Sequence, residues 1–218
     1  MRWGCLPLSD LKKPTRLYLV RHGEVVRQGQ GKFLGFTDLG LSLRGKKQIR
    51  SVAEYLKNVS LDQAYTSNLI RTMESGGIIC QDRGIQPNSW PVFREMNMGD
   101  WDGKSWEEIK KKYPKADPMF FSELKTFHFP GGENWSQFRN RVLKGMKRLL
   151  KEDQGKDILL VAHAGVNRII LAQALGLQFK NMFLMEQGYA CLNIIEYYRT
   201  VSRVILMNGI FYSSKLKA

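Results

Sequence analysis

The first readable pattern begins at Arg16, where Leu17, Leu19 and Val20 form a short apolar run that stops at Arg21-His22-Gly23. Such a run predicts a short buried strand. The glycine-rich stretch from Gly29 to Gly40 predicts a loop, and Ser42 a helix N-cap. Ile49, Val52, Ala53 and Leu56 follow at helical spacing, with Arg44, Lys46, Lys47, Arg50 and Lys57 mostly elsewhere on that helix. Leu61 to Thr66 predicts a strand and Asn68 to Arg83 a helix, weakened by Gly76-Gly77. Pro91 to Glu95 predicts a short extended segment. Lys104 to Tyr113 predicts a polar helix stopped at Pro114, and Pro114 to Gly132 is irregular and aromatic. Trp135, Phe138, Val142, Met146, Leu149 and Leu150 mark one face of a long helix. The clearest buried strand is Ile158-Leu159-Leu160-Val161, running into Ala162-His163-Ala164-Gly165. A helix through Leu175 follows, with Gly176 as its stop. Cys191 to Tyr198 and Val201 to Met207 predict two closely joined antiparallel strands.

Strands that alternate with helices predict an α/β three-layer sandwich. The expected sheet is mainly parallel, of about six strands, with one antiparallel edge strand and helices on both faces. A chain of 218 residues that is 43% hydrophobic can fill one sizeable core. Residues 1–15 are expected to be an N-terminal extension and 16–218 a single domain, with 104–132 as a cap or lid over it.

Composition narrows the partners. A net charge of +14 points to something anionic: nucleic acid, acidic lipid or a phosphorylated small molecule. The basic residues are scattered, as at Lys46-Lys47, Lys110-Lys111-Lys112, Lys144, Lys147 and Arg148, and no aromatic residues interleave with them. That spacing speaks against nucleic acid. The cysteines Cys5, Cys80 and Cys191 are far apart, which signals neither a disulfide framework nor zinc. The apolar patch from Trp3 to Leu8 is too short for a secretory signal, and no stretch approaches a membrane span. A cytoplasmic protein without a membrane partner is expected. Its oligomeric state is open, a homodimer included.

The chemistry gathers at two strand ends. In a parallel sheet, sites form beyond the carboxyl ends of the strands. His22 and His163 each end a predicted strand, beside glycines that let backbone approach a ligand. Arg21 adds a fixed charge with a fork suited to phosphate. A single histidine after a strand is usually a packed or surface residue. Two at equivalent junctions, with an arginine, point to an oxyanion site. Zinc is the rival for two histidines, but HExxH and HxH spacings are absent.

The residues then show a likeness. Arg21-His22-Gly23-Glu24 resembles the signature of the histidine phosphatase superfamily, the phosphoglycerate mutase-like family. Gly35-Phe36-Thr37-Asp38 with Leu41-Ser42-Leu43-Arg44-Gly45 is similar to its Gly-x-x-Asp-x-x-Leu-(Thr/Ser)-x-x-Gly. Thr66-Ser67-Asn68-Leu69-Ile70-Arg71 resembles its Ser-Ser-x-Leu-x-Arg. Glu95 with Gly99-Asp100-Trp101-Asp102-Gly103 resembles Glu-x-x-x-Gly-x-Trp-x-Gly. Pro130-Gly131-Gly132-Glu133 recurs in the phosphatase branch, and Val161 to Arg168 resembles the block around the second histidine.

The resemblance implies that His22 attacks phosphorus and carries the phosphoryl group. Arg21, Arg71 and His163 would hold phosphate oxygens, and Glu95 would protonate the leaving oxygen and then deprotonate water. Gln28, Thr37 and Ala164 would line the substrate site with them. No metal or other cofactor is implied. Three departures bear on substrate rather than chemistry: Gln28 for a common Asn, Ser75-Gly76 for Thr-Ala, and Ala162-His163-Ala164-Gly165 for Ser/Thr-His-Gly-Gly. Glu133 is read as favouring the dipole of the long helix. Trp101 and Trp106 are read as packing, and His128 as either pocket rim or ordinary loop. The implied activity is phosphomonoester hydrolysis of a small phosphorylated metabolite, with alpha-ribazole 5'-phosphate a candidate. The alternatives are a broad-specificity phosphatase, a cofactor-dependent phosphoglycerate mutase and a catalytically idle phospho-ligand binder.

Overall fold

The computed structural model describes residues 13–26, 31–114, 116 and 127–212. Six strands form one sheet: β1 (Thr15–Arg21), β2 (Gln63–Thr66), β3 (Asn88–Ser89), β4 (Asp157–Ala162), β5 (Leu192–Tyr197) and β6 (Ser202–Gly209). Their order is β3-β2-β4-β1-β5-β6. β3, β2, β4 and β1 pair in parallel. β5 reverses direction, pairing antiparallel with β1 on one side and with the outermost strand β6 on the other.

The described α-helices are α1 (Leu43–Tyr55), α2 (Ile70–Cys80), α3 (Trp106–Lys112), α4 (Trp135–Glu152) and α5 (Ala164–Ala174). Residues 17–20 of β1 and 158–162 of β4 are apolar runs covered on both faces. Leu17, Leu19, Ile158 and Leu160 pack with Phe138, Val142 and Leu149 of α4 and Val166 and Ile170 of α5. Tyr18, Val20, Leu159 and Val161 pack with Ile49 and Val52 of α1 and Ile79 of α2. The alternation of a strand therefore divides one sheet between two cores, which gives the three-layer sandwich expected from the sequence.

Local signals set several boundaries. The Ser42 side chain accepts a hydrogen bond from Gly45 N–H and caps α1. Asn134 and Gln137 form a capping box at the start of α4, and Ser105 and Glu108 another at α3. Gly176 follows α5 with φ of 65°, a conformation glycine adopts without steric cost. One expectation fails. Pro91 to Glu95 is not extended: Pro91–Phe93 forms a 3-10 turn, and the short strand lies earlier, at Asn88–Ser89. Proline has no N–H to give to a sheet and its fixed φ suits the first position of a helical turn. The α2 helix is also shorter than predicted.

Of the segment read as a cap, 104–132, only the two ends and Ala116 fall within the described residues. Cys5, Gln28 and most of the N-terminal extension lie outside them. Cys80 and Cys191 are buried and free, and burial pushes both thiols up to about 11. Among the described residues, no helix is long and apolar enough to cross a membrane.

Candidate active site

β1 and β4 are neighbours in register, with Arg21 opposite Ala162, and His22 N–H donates to the Ala162 carbonyl at 3.1 Å. His22 and His163 therefore leave the sheet side by side at its carboxyl end, with ring centroids 5.2 Å apart. Arg71 reaches the same place from the first turn of α2, which follows the neighbouring strand β2. Glu95 comes from the turn after Pro91–Phe93.

Each imidazole has a defined tautomer. His22 is buried, and its Nδ1 lies 2.8 Å from the Gly23 carbonyl oxygen. A carbonyl can only accept, so Nδ1 carries the proton and Nε2 keeps its lone pair. His163 is oriented the opposite way. Its Nδ1 accepts from Arg71 Nε at 3.3 Å, so its proton sits on Nε2, 2.8 Å from Ser67 Oγ. Ser67 Oγ in turn donates to Thr72 Oγ1 at 2.8 Å, whose hydroxyl has the Ser67 and Leu69 carbonyls to donate to. Both histidines are held well below their ordinary pKa, first by burial and then by the Arg71 guanidinium. Arg21 adds to this at both, and His22 at His163. Both rings are consequently neutral near pH 7.

The guanidinium groups are seated on backbone. Arg71, 1% exposed, donates to the Gly35 carbonyl at 2.7 Å and the Thr37 carbonyl at 2.8 Å. Burial lowers its pKa, opposed by the charges of Glu95, Asp38 and Asp102. Its seat is itself fastened. Asp102 accepts from the N–H groups of Gly35, Phe36 and Thr37 at 2.8, 2.6 and 2.8 Å, and from Thr37 Oγ1 at 2.9 Å. Arg21 donates to the Gln187 carbonyl at 2.6 Å and stacks on Tyr189, 3.8 Å from the ring centre. Its buried Nε has no hydrogen-bond partner among the described residues.

Glu95 stands over the start of α5. Its Oε2 accepts from Gly165 N–H at 3.0 Å and its Oε1 from Met96 N–H at 2.9 Å. Position 165 must be glycine for this, since a Cβ there would lie 2.4 Å from Glu95 Oε1.

The sequence candidates Arg21, His22, Arg71, Glu95 and His163 thus converge. Thr37 contributes its carbonyl, while its hydroxyl goes to Asp102. Ala164 is the first residue of α5. His128 is exposed, with a ring nitrogen 3.1 Å from the Gly132 carbonyl oxygen. Trp101 is buried in an aromatic cluster with Phe127 and Phe129, and Trp106 packs against it. Sequence reasoning missed Gln187 and Tyr189, which precede β5 in no motif. It also missed Ser67 and Asp102 as supports, although both stand inside quoted motifs.

Two strand-end histidines with opposed tautomers, flanked by two guanidinium groups and a carboxylate, form a site that can hold a tetrahedral oxyanion against a nitrogen lone pair. The sequence profile of the Histidine phosphatase superfamily (branch 1) matches residues 17–209, and the chain belongs to that superfamily. Phosphoserine phosphatase 1 of Hydrogenobacter thermophilus is 27% identical over 209 residues, covering 94% of this chain and 99% of that protein. The adenosylcobalamin/alpha-ribazole phosphatase of Escherichia coli is 24% identical over 194 residues, covering 89% and 96%. The crystal structure of the alpha-ribazole phosphatase from Shigella flexneri superposes with a TM-score of 0.84 at 24% identity, over 92% of this chain and 100% of that one. That last likeness speaks for the fold alone.

Proposed function

We propose that this chain hydrolyses small phosphomonoesters without a metal, through a phosphohistidine on His22. The observation that carries the reading is the His22 tautomer. Nδ1 is tied to the Gly23 carbonyl, and burial beside two guanidinium groups keeps Nε2 deprotonated. In the first half-reaction Nε2 bonds to phosphorus, the P–O ester bond breaks, and Glu95 gives its proton to the leaving alkoxide. In the second, water attacks the phosphohistidine, its proton passes to Glu95, and the P–N bond breaks to release orthophosphate. Arg21 and Arg71 meet the charge on the equatorial oxygens, where phosphoryl transfer needs stabilisation most. His163, neutral and anchored by Arg71 and Ser67, completes the ring of groups around the phosphate, with Thr37 and Ala164 beside it.

The substrate is a small phosphorylated metabolite. Alpha-ribazole 5'-phosphate and phosphoserine are the specific candidates offered by the relatives' names, and a broad range is the alternative. The segment 104–132 is read as the lid that sets this choice. The test is turnover of p-nitrophenyl phosphate in EDTA, then a panel with both candidates and 3-phosphoglycerate. Hydrolysis that survives EDTA and disappears in His22→Ala, with an acid-labile phosphoenzyme in the wild type, supports the reading. Loss with EDTA overturns the metal-free route. Isomerisation of 3-phosphoglycerate faster than phosphate release makes the protein a mutase. Phosphate binding without turnover of any panel member makes it an idle binder.

A further inference from the structure

The motif glutamate at 133 is not spent on the helix dipole. It precedes the N-cap Asn134, and its carboxylate faces Arg141, two turns along α4. Arg141 Nη2 donates to Glu133 Oε1 at 2.5 Å and Nε donates to Oε2 at 3.3 Å. The rest of this guanidinium goes to one stretch of backbone. Nη1 donates to the carbonyls of Val92 and Arg94, both at 2.9 Å, and Nη2 to the carbonyl of Glu95 at 3.1 Å. A guanidinium has five N–H donors, and every one is accounted for. Glu133 grips the same stretch from its far end: Oε1 accepts from Asn97 N–H at 2.8 Å, and Glu133 N–H donates to the Asn97 carbonyl at 2.9 Å. The side chains of the pair are 23% and 14% exposed, so solvent screens the ion pair only in part.

We infer that Arg141 and Glu133 are positioning residues for Glu95: together they clamp residues 92–97 so that its carboxylate is delivered to Gly165 N–H beside His163. The inference rests on the role for Glu95 proposed above. Neither residue touches the reacting atoms; both act through the backbone that carries the acid. Arginine is required at 141 because lysine's three donors on one atom cannot reach three carbonyls and a carboxylate at once.

The experiment compares kcat/KM for an alkyl phosphomonoester and for p-nitrophenyl phosphate. An alkoxide needs its proton as the P–O bond breaks, whereas nitrophenolate leaves unaided. The parameter reports only steps up to the first P–O cleavage. In Arg141→Lys and Glu133→Ala, the alkyl substrate is expected to lose about a hundredfold, the effect of a misplaced catalytic group, and p-nitrophenyl phosphate far less. Glu133→Gln, which keeps an acceptor for Asn97 N–H, should recover part of the loss. On a Glu95→Gln background, Arg141→Lys should cost the alkyl substrate nothing more. Equal losses on both substrates, a further loss on the Glu95→Gln background, or no loss at all would each overturn the clamp while leaving the Glu95 assignment standing. If Glu95→Gln itself shows no dependence on the leaving group, the assignment of Glu95 falls and the clamp with it.

Discussion

Acidification should destabilise the empty protein by an amount that can be counted in histidines. His22 and His163 are both held well below the ordinary 6.5, by burial first and by guanidinium charge second. The third histidine of the chain, His128, is exposed. As pH falls through 6.5 the unfolded chain takes up protons at positions 22 and 163 while the folded chain does not. Stability then rises with pH wherever the unfolded state holds more protons. The sign is therefore a loss on acidification. It opens above pH 6.5, reaches about half its limiting slope at 6.5, and ends where the folded rings at last protonate. Each histidine contributes a limiting slope of about 1.4 kcal/mol per pH unit, and the pair about 2.7. The assay is urea unfolding at half-unit steps from pH 7 to 5 in buffers free of phosphate and sulfate. His22→Asn and His163→Asn serve as controls, because each should remove about half the slope whatever it does to absolute stability. A wild-type slope no steeper than that of either variant would refute the reasoning, since it would mean that the folded rings take protons as readily as the unfolded ones.

Three further outcomes follow from the same geometry. Gly165→Ala puts a Cβ 2.4 Å from Glu95 Oε1 and 3.0 Å from Phe138, so kcat/KM for an alkyl phosphate should fall about a hundredfold; unchanged kinetics would show that Glu95 need not sit there. Asp102→Ala leaves three backbone N–H groups without their acceptor, which should cost about 2 kcal/mol in urea unfolding and weaken competitive inhibition by orthophosphate, because the seat of Arg71 loosens. Orthophosphate at a hundred times its Kd should stabilise the wild type by about 2.7 kcal/mol, and a thermal shift of the same size in Arg71→Met would place the anion elsewhere.

The central strands were legible because they are covered on both faces. Residues 17–20 in β1 and 158–162 in β4 read as apolar runs, and the chemistry starts where each run stops, at Arg21-His22 and at His163. The helices α1 and α4 were legible from period and caps. Elements held by partners remote in sequence were not. β3 is two exposed residues with no apolar signal of their own. Gln187 reaches Arg21 with a backbone carbonyl, an atom every residue has, while its side chain pairs with Asn193. Glu133 looked like a helix-end carboxylate because its real partners, Asn97 and Arg141, lie 36 positions before it and 8 after. The site was readable where one strand end carries it, and hidden where carbonyl and amide groups from different loops meet.

The backbone around Gly99 and Gly132 has a consequence for how this protein could diversify. Asp100 N–H donates to the Pro130 carbonyl at 2.8 Å, and a Cβ on Gly99 would lie 2.4 Å from Gly132 nitrogen. The chain thus departs and returns through one knot of main-chain atoms, with Ala116 and Phe127 both packed on the core between those points. Ala116 and Phe127 are therefore both fixed against the body of the protein. Doubling the length of a flexible segment between two fixed ends costs only about 0.6 kcal/mol in closure entropy. A change of length between Ala116 and Phe127 would therefore leave Glu95, on the other side of the knot, where Glu133 and Arg141 hold its backbone. The knot thus separates a place where the chain can vary in length from the backbone that fixes Glu95.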